Sequence, residues 1–291
     1  MELPSHLKEL YRHWNFHVVS GPNNDDDKTV DKASDKAVED IFEDKSLFDG
    51  ISSFVKERIS IWKKKTSGED APYTQDEILS TYRFCNIFRE FDRQTIEFHE
   101  LLNPIRDNFP LWLLNIFYFR LVARTETVRE VGLLSFDLLK NKSFYERLMK
   151  SKRPRFGTPY VFPVSVIMKS KTPTRELFIA NYLPSIMETL AVEIFTWEKK
   201  SVYDGVQIIT SLFGYNLNFL WTEVLIDVAY QFPEKINLFG RFPIGPGSMP
   251  TMNRIDSKKD PSLLVEEISK LGFNTGITFD DKPLRLSAEN W

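Results

Sequence analysis

An all-α, two-lobed fold is what this sequence predicts, and three observations carry that expectation. Apolar residues recur at helical spacing in several long segments. Strand character is confined to one run, Tyr160 to Met168, which Pro163 demotes to an edge strand or extended loop. A length of 291 residues suffices for two lobes of roughly 100–200 residues each. With 42% hydrophobic and 27% charged residues, the chain has globular rather than disordered composition.

Along the chain, a short helix over Leu7–Trp14 is expected first, followed by a turn or linker at Gly21-Pro22-Asn23-Asn24. The acidic region from Asn24 to Asp49 reads as a solvated loop and a polar helix. Ser52–Lys65 sets Phe54, Ile59, Ile61 and Trp62 among charges, as a helix with one buried face does. Thr74-Gln75-Asp76-Glu77 has the form of a capping box, so a long helix is expected over Asp76–Leu102. Projected at ~100° per residue, its core stripe holds Phe84, Ile87, Phe88, Phe91 and Phe98, with Cys85, Asp92 and His99 at the margin.

Leu111–Val122 is the most apolar stretch; Arg120 interrupts it, and it is short of the ~20 residues that span a bilayer. Between Lys140 and Arg175 basic residues dominate, and Pro154, Pro159, Pro163, Pro173 and Gly157 predict mostly irregular backbone. Helices return at Tyr182–Trp197 and Val206–Tyr230, the latter broken at Gly214 into a helix-turn-helix unit. Ala288-Glu289-Asn290-Trp291 reads as the start of a further helix, with more residues expected after it. Two domains follow from this reading: residues 1–72 as an N-terminal helical segment with the acidic region, and 73–291 as a helical catalytic domain with a central cleft.

A single cysteine, Cys85, excludes an intramolecular disulfide and a cysteine-built zinc site; no metal or other cofactor is expected. The start Met1-Glu2-Leu3-Pro4-Ser5-His6 lacks the basic and apolar regions of a secretory signal. A reducing, cytoplasmic setting without a membrane role is the expectation. The formal net charge of −3 argues against non-specific coating of nucleic acid. Its distribution is uneven, however, and Lys152, Arg153 and Arg155 sit in a strip suited to phosphates.

Two constellations carry chemistry. In Tyr82-Arg83-Phe84-Cys85-Asn86-Ile87-Phe88-Arg89-Glu90-Phe91-Asp92-Arg93, polar groups are denser than burial requires. Tyr82, Arg83, Asn86, Arg89 and Arg93 are candidates for holding a phosphate-bearing ligand. The alternative is a solvated helix face with weak surface pairs. In the second constellation, Glu223 and Asp227 lie at i and i+4 within Trp221–Tyr230, an otherwise apolar helix. Two carboxylates there require arginines, a polar cleft or a shared proton, because an unpaired buried charge costs several kcal/mol or forces protonation. Downstream come Glu234, Arg241 and the loop Gly245-Pro246-Gly247-Ser248, whose glycines permit close approach of backbone to a ligand.

The Thr81–Arg93 block, the Glu223-x-x-x-Asp227 helix and Gly245-Pro246-Gly247-Ser248 together resemble the alpha-glutamyl/putrescinyl thymidine pyrophosphorylases, which are similar to the helical domain of hydroxymethyluracil DNA kinases. The resemblance covers roughly Tyr73 to Ile255. It implies a fold like that of helix-hairpin-helix DNA glycosylases, with Phe213-Gly214-Tyr215-Asn216 at the hairpin. The chain departs from that pattern in lacking Leu-Pro-Gly-Val-Gly, and Glu234 stands where an aspartate belongs. Double-stranded DNA with modified bases, as in phage genomes, is the implied partner. The expected activity is that of a glycosylase excising hypermodified bases in antiviral defence. Alternatives are an amino acid or polyamine DNA transferase and a non-catalytic reader of modified DNA. Asp227 is the first candidate acid, Glu234 the second, and Glu223 and Asp92 complete the set. Arg83 to Arg93 and Trp221 to Ser248 are expected to form opposite sides of one cleft.

Overall fold

The computed structural model describes residues 2–12, 35–158, 162–214 and 216–291. The expected turn at Gly21–Asn24, the Asp25–Asp27 run, the end of the Leu7–Trp14 helix and Tyr215 of the expected hairpin lie outside the described residues. Helices dominate, as expected, and the pairs of two-residue strands are minor features. The chain divides into two compact units, one of residues 1–92 and 238–291, the other of 93–237. The expected boundary at residue 72 falls inside the first of these units, which also takes in 238–291.

In the first unit, helix α1 is Ser5–Leu10 and helix α2 is Lys45–Thr66. The Asp44 carboxylate caps α2 by accepting from the amides of Ser46 and Leu47, and Lys63, Lys64 and Lys65 suit the negative end of its dipole. Its buried stripe of Phe48, Ser52, Val55 and Ile59 follows helical spacing. Trp62 extends it by stacking on Phe91 at 4.2 Å. Helix α3, Glu77–Thr81, is short. Asp76 rather than Thr74 caps it, accepting from Leu79, while the Thr74 hydroxyl accepts from the Asp76 amide, one residue short of the bond that a capping box makes.

The long helix expected over Asp76–Leu102 does not form. After α3 the backbone is irregular through 82–88, makes one 3₁₀ turn at Arg89–Phe91, and becomes helical again only at α4, Arg93–Leu102. Asp92 explains the interruption: its Oδ1 accepts from the Asn86 amide and side chain, and this local partner competes with the helical ladder. Phe88, Phe91 and Phe98 are buried as expected, but Phe84 is exposed.

The second unit is built on α4 and on two helices buried on all sides, α5 (Phe109–Val122) and α10 (Asn218–Gln231). Residues Trp112–Val122 and Leu220–Gln231 are all buried, which is why neither helix carries an amphipathic stripe. Around them lie α6 (Thr125–Val131), α7 (Leu138–Lys150), α8 (Arg175–Phe195) and α9 (Val202–Phe213). Gly214 ends α9 at φ +69°, the left-handed conformation that favours glycine, so the expected break falls where the sequence puts it. Among the described residues α8 is the helix long and apolar enough to cross a bilayer; it packs on α5 as a core helix does. Its turn Phe178–Tyr182 widens to π geometry just before Pro184, which has no N–H to give to the preceding turn.

The edge strand expected over Tyr160–Met168 is corrected: residues Val164–Ser170 form a short helix that opens after Pro163, a residue whose fixed φ suits a helix start. Residues 160 and 161 lie outside the described residues. The basic stretch is likewise more helical than its prolines imply, since α7 runs to Lys150. The expected helix start at 288–291 is a turn, in which Asn290 Oδ1 accepts from the Ser287 amide and hydroxyl.

Irregular backbone after α7 is pinned against α5. Arg175 donates to the Leu121 carbonyl, and its guanidinium lies 4.1 Å from the Phe156 ring and 5.3 Å from that of Phe162. Gly157 donates to the Val122 carbonyl at 2.8 Å, and a Cβ at this position would stand 2.3 Å from the Ala123 oxygen. We therefore expect Gly157→Ala to destabilise the protein by about 1–3 kcal/mol, the cost typical of overpacking. A lowered urea midpoint with unchanged slope is the expected measurement.

Candidate functional site

The candidate residues separate between the units. Tyr82, Arg83, Asn86, Arg89, Asp92, Arg241, Gly245, Gly247 and Ser248 belong to the first; Arg93, Lys152, Arg153, Arg155, Glu223, Asp227 and Glu234 belong to the second.

In the second unit the requirement that buried carboxylates find partners is met at Asp227 by arginine. Asp227 is 0% exposed. Arg120 from α5 binds it with two hydrogen bonds, Nε to Oδ2 at 2.6 Å and Nη2 to Oδ1 at 2.5 Å. His99 from α4 adds a third contact, Nε2 to Oδ1 at 3.0 Å. The other ring nitrogen, Nδ1, lies 3.1 Å from Gln231 Nε2, and Arg106 donates to the Gln231 carbonyl. A neutral imidazole with its proton on Nε2 satisfies both contacts, donating to Asp227 and accepting from the Gln231 amide. Arg120 also donates to Thr95 Oγ1 and lies over Phe98. Sequence reasoning singled out Asp227 but not Arg120 or His99 as its partners. The signal for Arg120 was present: a lone arginine in an apolar helix needs an acid.

Burial alone raises the Asp227 carboxyl; the Arg120 charge and hydrogen bonds, aided by His99, outweigh it and bring the group down to about 2. Burial pushes His99 below its ordinary 6.5 and outweighs the contact with Asp227, so the ring is neutral. Glu223, one turn earlier on α10, is also buried. Glu234 is exposed in the turn after α10, where its carbonyl accepts from the Lys199 amide. In the basic strip, Arg155 is turned inward, paired with Glu176 at 3.3 Å, whereas the Lys152 and Arg153 side chains are exposed.

In the first unit, Asn86, Arg89 and Asp92 form one hydrogen-bonded group. Asp92 Oδ1 takes the Asn86 amide at 2.8 Å and its Nδ2 at 3.1 Å, and Arg89 Nε lies 3.2 Å from Oδ2. The carboxylate is held in a fixed orientation yet remains partly exposed. Arg241 is committed to the start of the helix Pro261–Leu271, donating to Ser262 Oγ and pairing with Asp260. Gly245, Gly247 and Ser248 are exposed, and nothing stands within 4 Å of a Cβ built on either glycine. Their local role is a turn into Met249–Ile255, with the Ser248 and Met249 amides donating to the Gly245 carbonyl. Arg93 opens α4, 87% exposed and paired with Glu97. Among the described residues no His, Cys, Asp and Glu group suited to a metal ion occurs.

These elements carry a family signature. Residues 45–272 match the family described as 5-hmdU DNA kinase, helical domain, and the chain belongs to that family. A 5-hmdU DNA kinase of Bacillus phage SP10 is 29% identical over 135 residues, 45% of this chain. The matched segment spans 20% of that longer relative's length. No solved structure matches the chain.

The Arg120–Asp227 pair makes a stability prediction. Asp227→Asn leaves the Arg120 charge buried without its counterion, and we expect a loss of about 3–5 kcal/mol in urea unfolding. The pH dependence follows from both groups. Below about 6.5 the unfolded His99 gains a proton that the folded one refuses, so stability falls as pH falls. It falls again from about 4 to 2, as Asp227 protonates in the unfolded chain before the folded one. Unfolding midpoints measured from pH 8 to pH 3 are expected to decline, with the first step absent in His99→Gln.

Proposed function

We propose that this chain acts on DNA carrying hydroxymethylated or further modified pyrimidines, and that it removes the modified base as a glycosylase. Membership of the family of 5-hmdU DNA kinase helical domains is the observation that carries the choice of substrate. Kinase chemistry has little support in these residues: none of the 12 glycines is followed by lysine, so no Walker A sequence is present.

Excision breaks the bond between C1′ and the base, places the oxygen of water on C1′ and leaves a proton on the departing base. A carboxylate near C1′ stabilises the positive charge that develops there or activates the water. Asp92 is the favoured group, because its carboxylate is oriented by Asn86 and Arg89 and keeps solvent access. Asp227, the first choice from sequence, has no exposed surface and two strong hydrogen bonds to Arg120, and so acts through the fold. Glu234 is accessible but lacks comparable support. Lys152 and Arg153, exposed and basic, suit contacts with DNA phosphates.

Transfer of an amine with loss of pyrophosphate needs arginines able to receive that leaving group. Of the four candidates, Arg89 and Arg241 are bound to protein acceptors and Arg93 pairs with Glu97, which leaves Arg83 exposed where a pyrophosphate calls for several cations; this favours excision. Excision of such bases would equip the protein to act against phage genomes that carry them.

The test incubates the protein with DNA containing thymine, hydroxymethyluracil or glucosylated hydroxymethyl bases and looks for released base and alkali-labile sites. Abasic sites are expected on modified DNA alone, and Asp92→Asn is expected to lower their rate by at least about 10²-fold with melting preserved. No abasic sites on any substrate excludes excision. Incorporation of labelled glycine or putrescine into pyrophosphorylated DNA would identify a transferase, and binding without either product a reader.

A further inference from the structure

Phe84 is an aromatic ring that the fold exposes and at the same time holds still. It is 43% exposed, and its neighbours Tyr82 and Phe54 are 66% and 43% exposed. Phe54 and Arg58 are four residues apart on α2 and so lie on one helical face. Arg58 is buried, and its Nη2 donates to the carbonyls of Phe84, at 3.1 Å, and Cys85, at 2.7 Å. Its guanidinium also lies 5.3 Å from the Phe84 ring centroid, and Phe54 meets the same ring edge-on at 6.4 Å. Burying an arginine is costly, and this one serves to fix a solvent-facing segment. The core gains little from the rings it presents.

Phe54 also lines an open groove of about 660 Å³, together with Glu57, Lys64, Gln75 and Asp76. The Glu57 and Asp76 carboxylates offer acceptors to the N–H groups of a base, and Lys64 stands in the same lining with its ammonium donating to the Tyr73 carbonyl. Arg83, exposed on the same segment, carries the positive charge that a strand's phosphates require.

We infer that Phe84, with Tyr82 and Phe54, is a stacking platform for an unpaired nucleobase of DNA, whose ring lies on the aromatic face and whose N–H edge points toward the groove. Base–aromatic stacking of this kind tolerates any base, since every base has a π-face. The platform therefore serves to hold single-stranded or locally opened DNA, independently of the modification that the reaction recognises. This inference rests on the reading of DNA as the ligand.

The test measures binding of the full chain to a fluorescent single-stranded oligonucleotide of unmodified bases, by anisotropy at several salt concentrations. Phe84→Ala is expected to weaken binding roughly 5- to 150-fold, the range that one lost stacking contact gives. The slope of log affinity against log salt is expected to stay unchanged, because no phosphate contact is removed. Phe84→Trp, which keeps a π-face, is expected to restore binding, and Phe84→Leu, which keeps only apolar bulk, is not. Equal affinity of Phe84→Ala and the parent, or full rescue by Phe84→Leu, overturns the platform while leaving DNA as the ligand. If the parent binds neither single-stranded nor duplex DNA, the DNA reading itself fails, and the platform with it. Melting of each variant is recorded alongside; weakened binding that tracks a loss of folded protein also counts against the platform.

Discussion

The ion pair between Arg120 and Asp227 is the constraint around which the second unit is arranged. Both charges come from helices that are mostly apolar and buried all round. Neither charge is stable there alone. Their bidentate contact fixes how α5 and α10 lie against each other, and His99 ties α4 to the same carboxylate. Gln231 and Arg106 continue the chain of hydrogen bonds, so that Arg120, Asp227, His99 and Gln231 are held by one another. A network of this kind specifies one register of packing where apolar contacts alone tolerate several.

That arrangement changes what the two carboxylates of α10 mean. In the sequence they look like reactive groups, because an acid in an apolar helix is either strongly perturbed or strongly paired. The geometry favours pairing at Asp227, with solvent excluded and the charge held by arginine. The segment from Tyr82 to Asp92 is different in kind. Its polar groups hold one another at the surface, and its aromatic rings face outward under the control of a buried arginine. Reactive chemistry and ligand contact are more at home in this exposed, rigid segment than in the sealed network.

Much of the helical plan was legible in the sequence because it rests on short-range rules. Periodicity marked α2, α8 and α9, and Gly214 marked the break before α10. That Asp227 needs arginine, a polar cleft or a shared proton was also legible from charge and hydropathy alone. Which residues met that need was not, since Arg120 is 107 residues away and His99 is 128. The long helix over Asp76–Leu102 failed for a related reason: periodicity favours it, but Asn86–Asp92 bonds and the distant Arg58 hold residues 82–88 out of the helix. Val164–Ser170 was misread because β-branched composition in a short run does not distinguish a strand from a helix that begins at a proline.

A double-mutant cycle on Arg120 and Asp227 tests the central claim most directly, through the unfolding free energies of Arg120→Leu, Asp227→Leu and the double variant. The double variant is expected to be more stable than the sum of the single losses allows, because removing both charges leaves neither one unpaired. A coupling of several kcal/mol is expected. Simple additivity of the two losses would contradict the account, for it would mean that the two groups do not depend on each other and that Asp227 is free for another role.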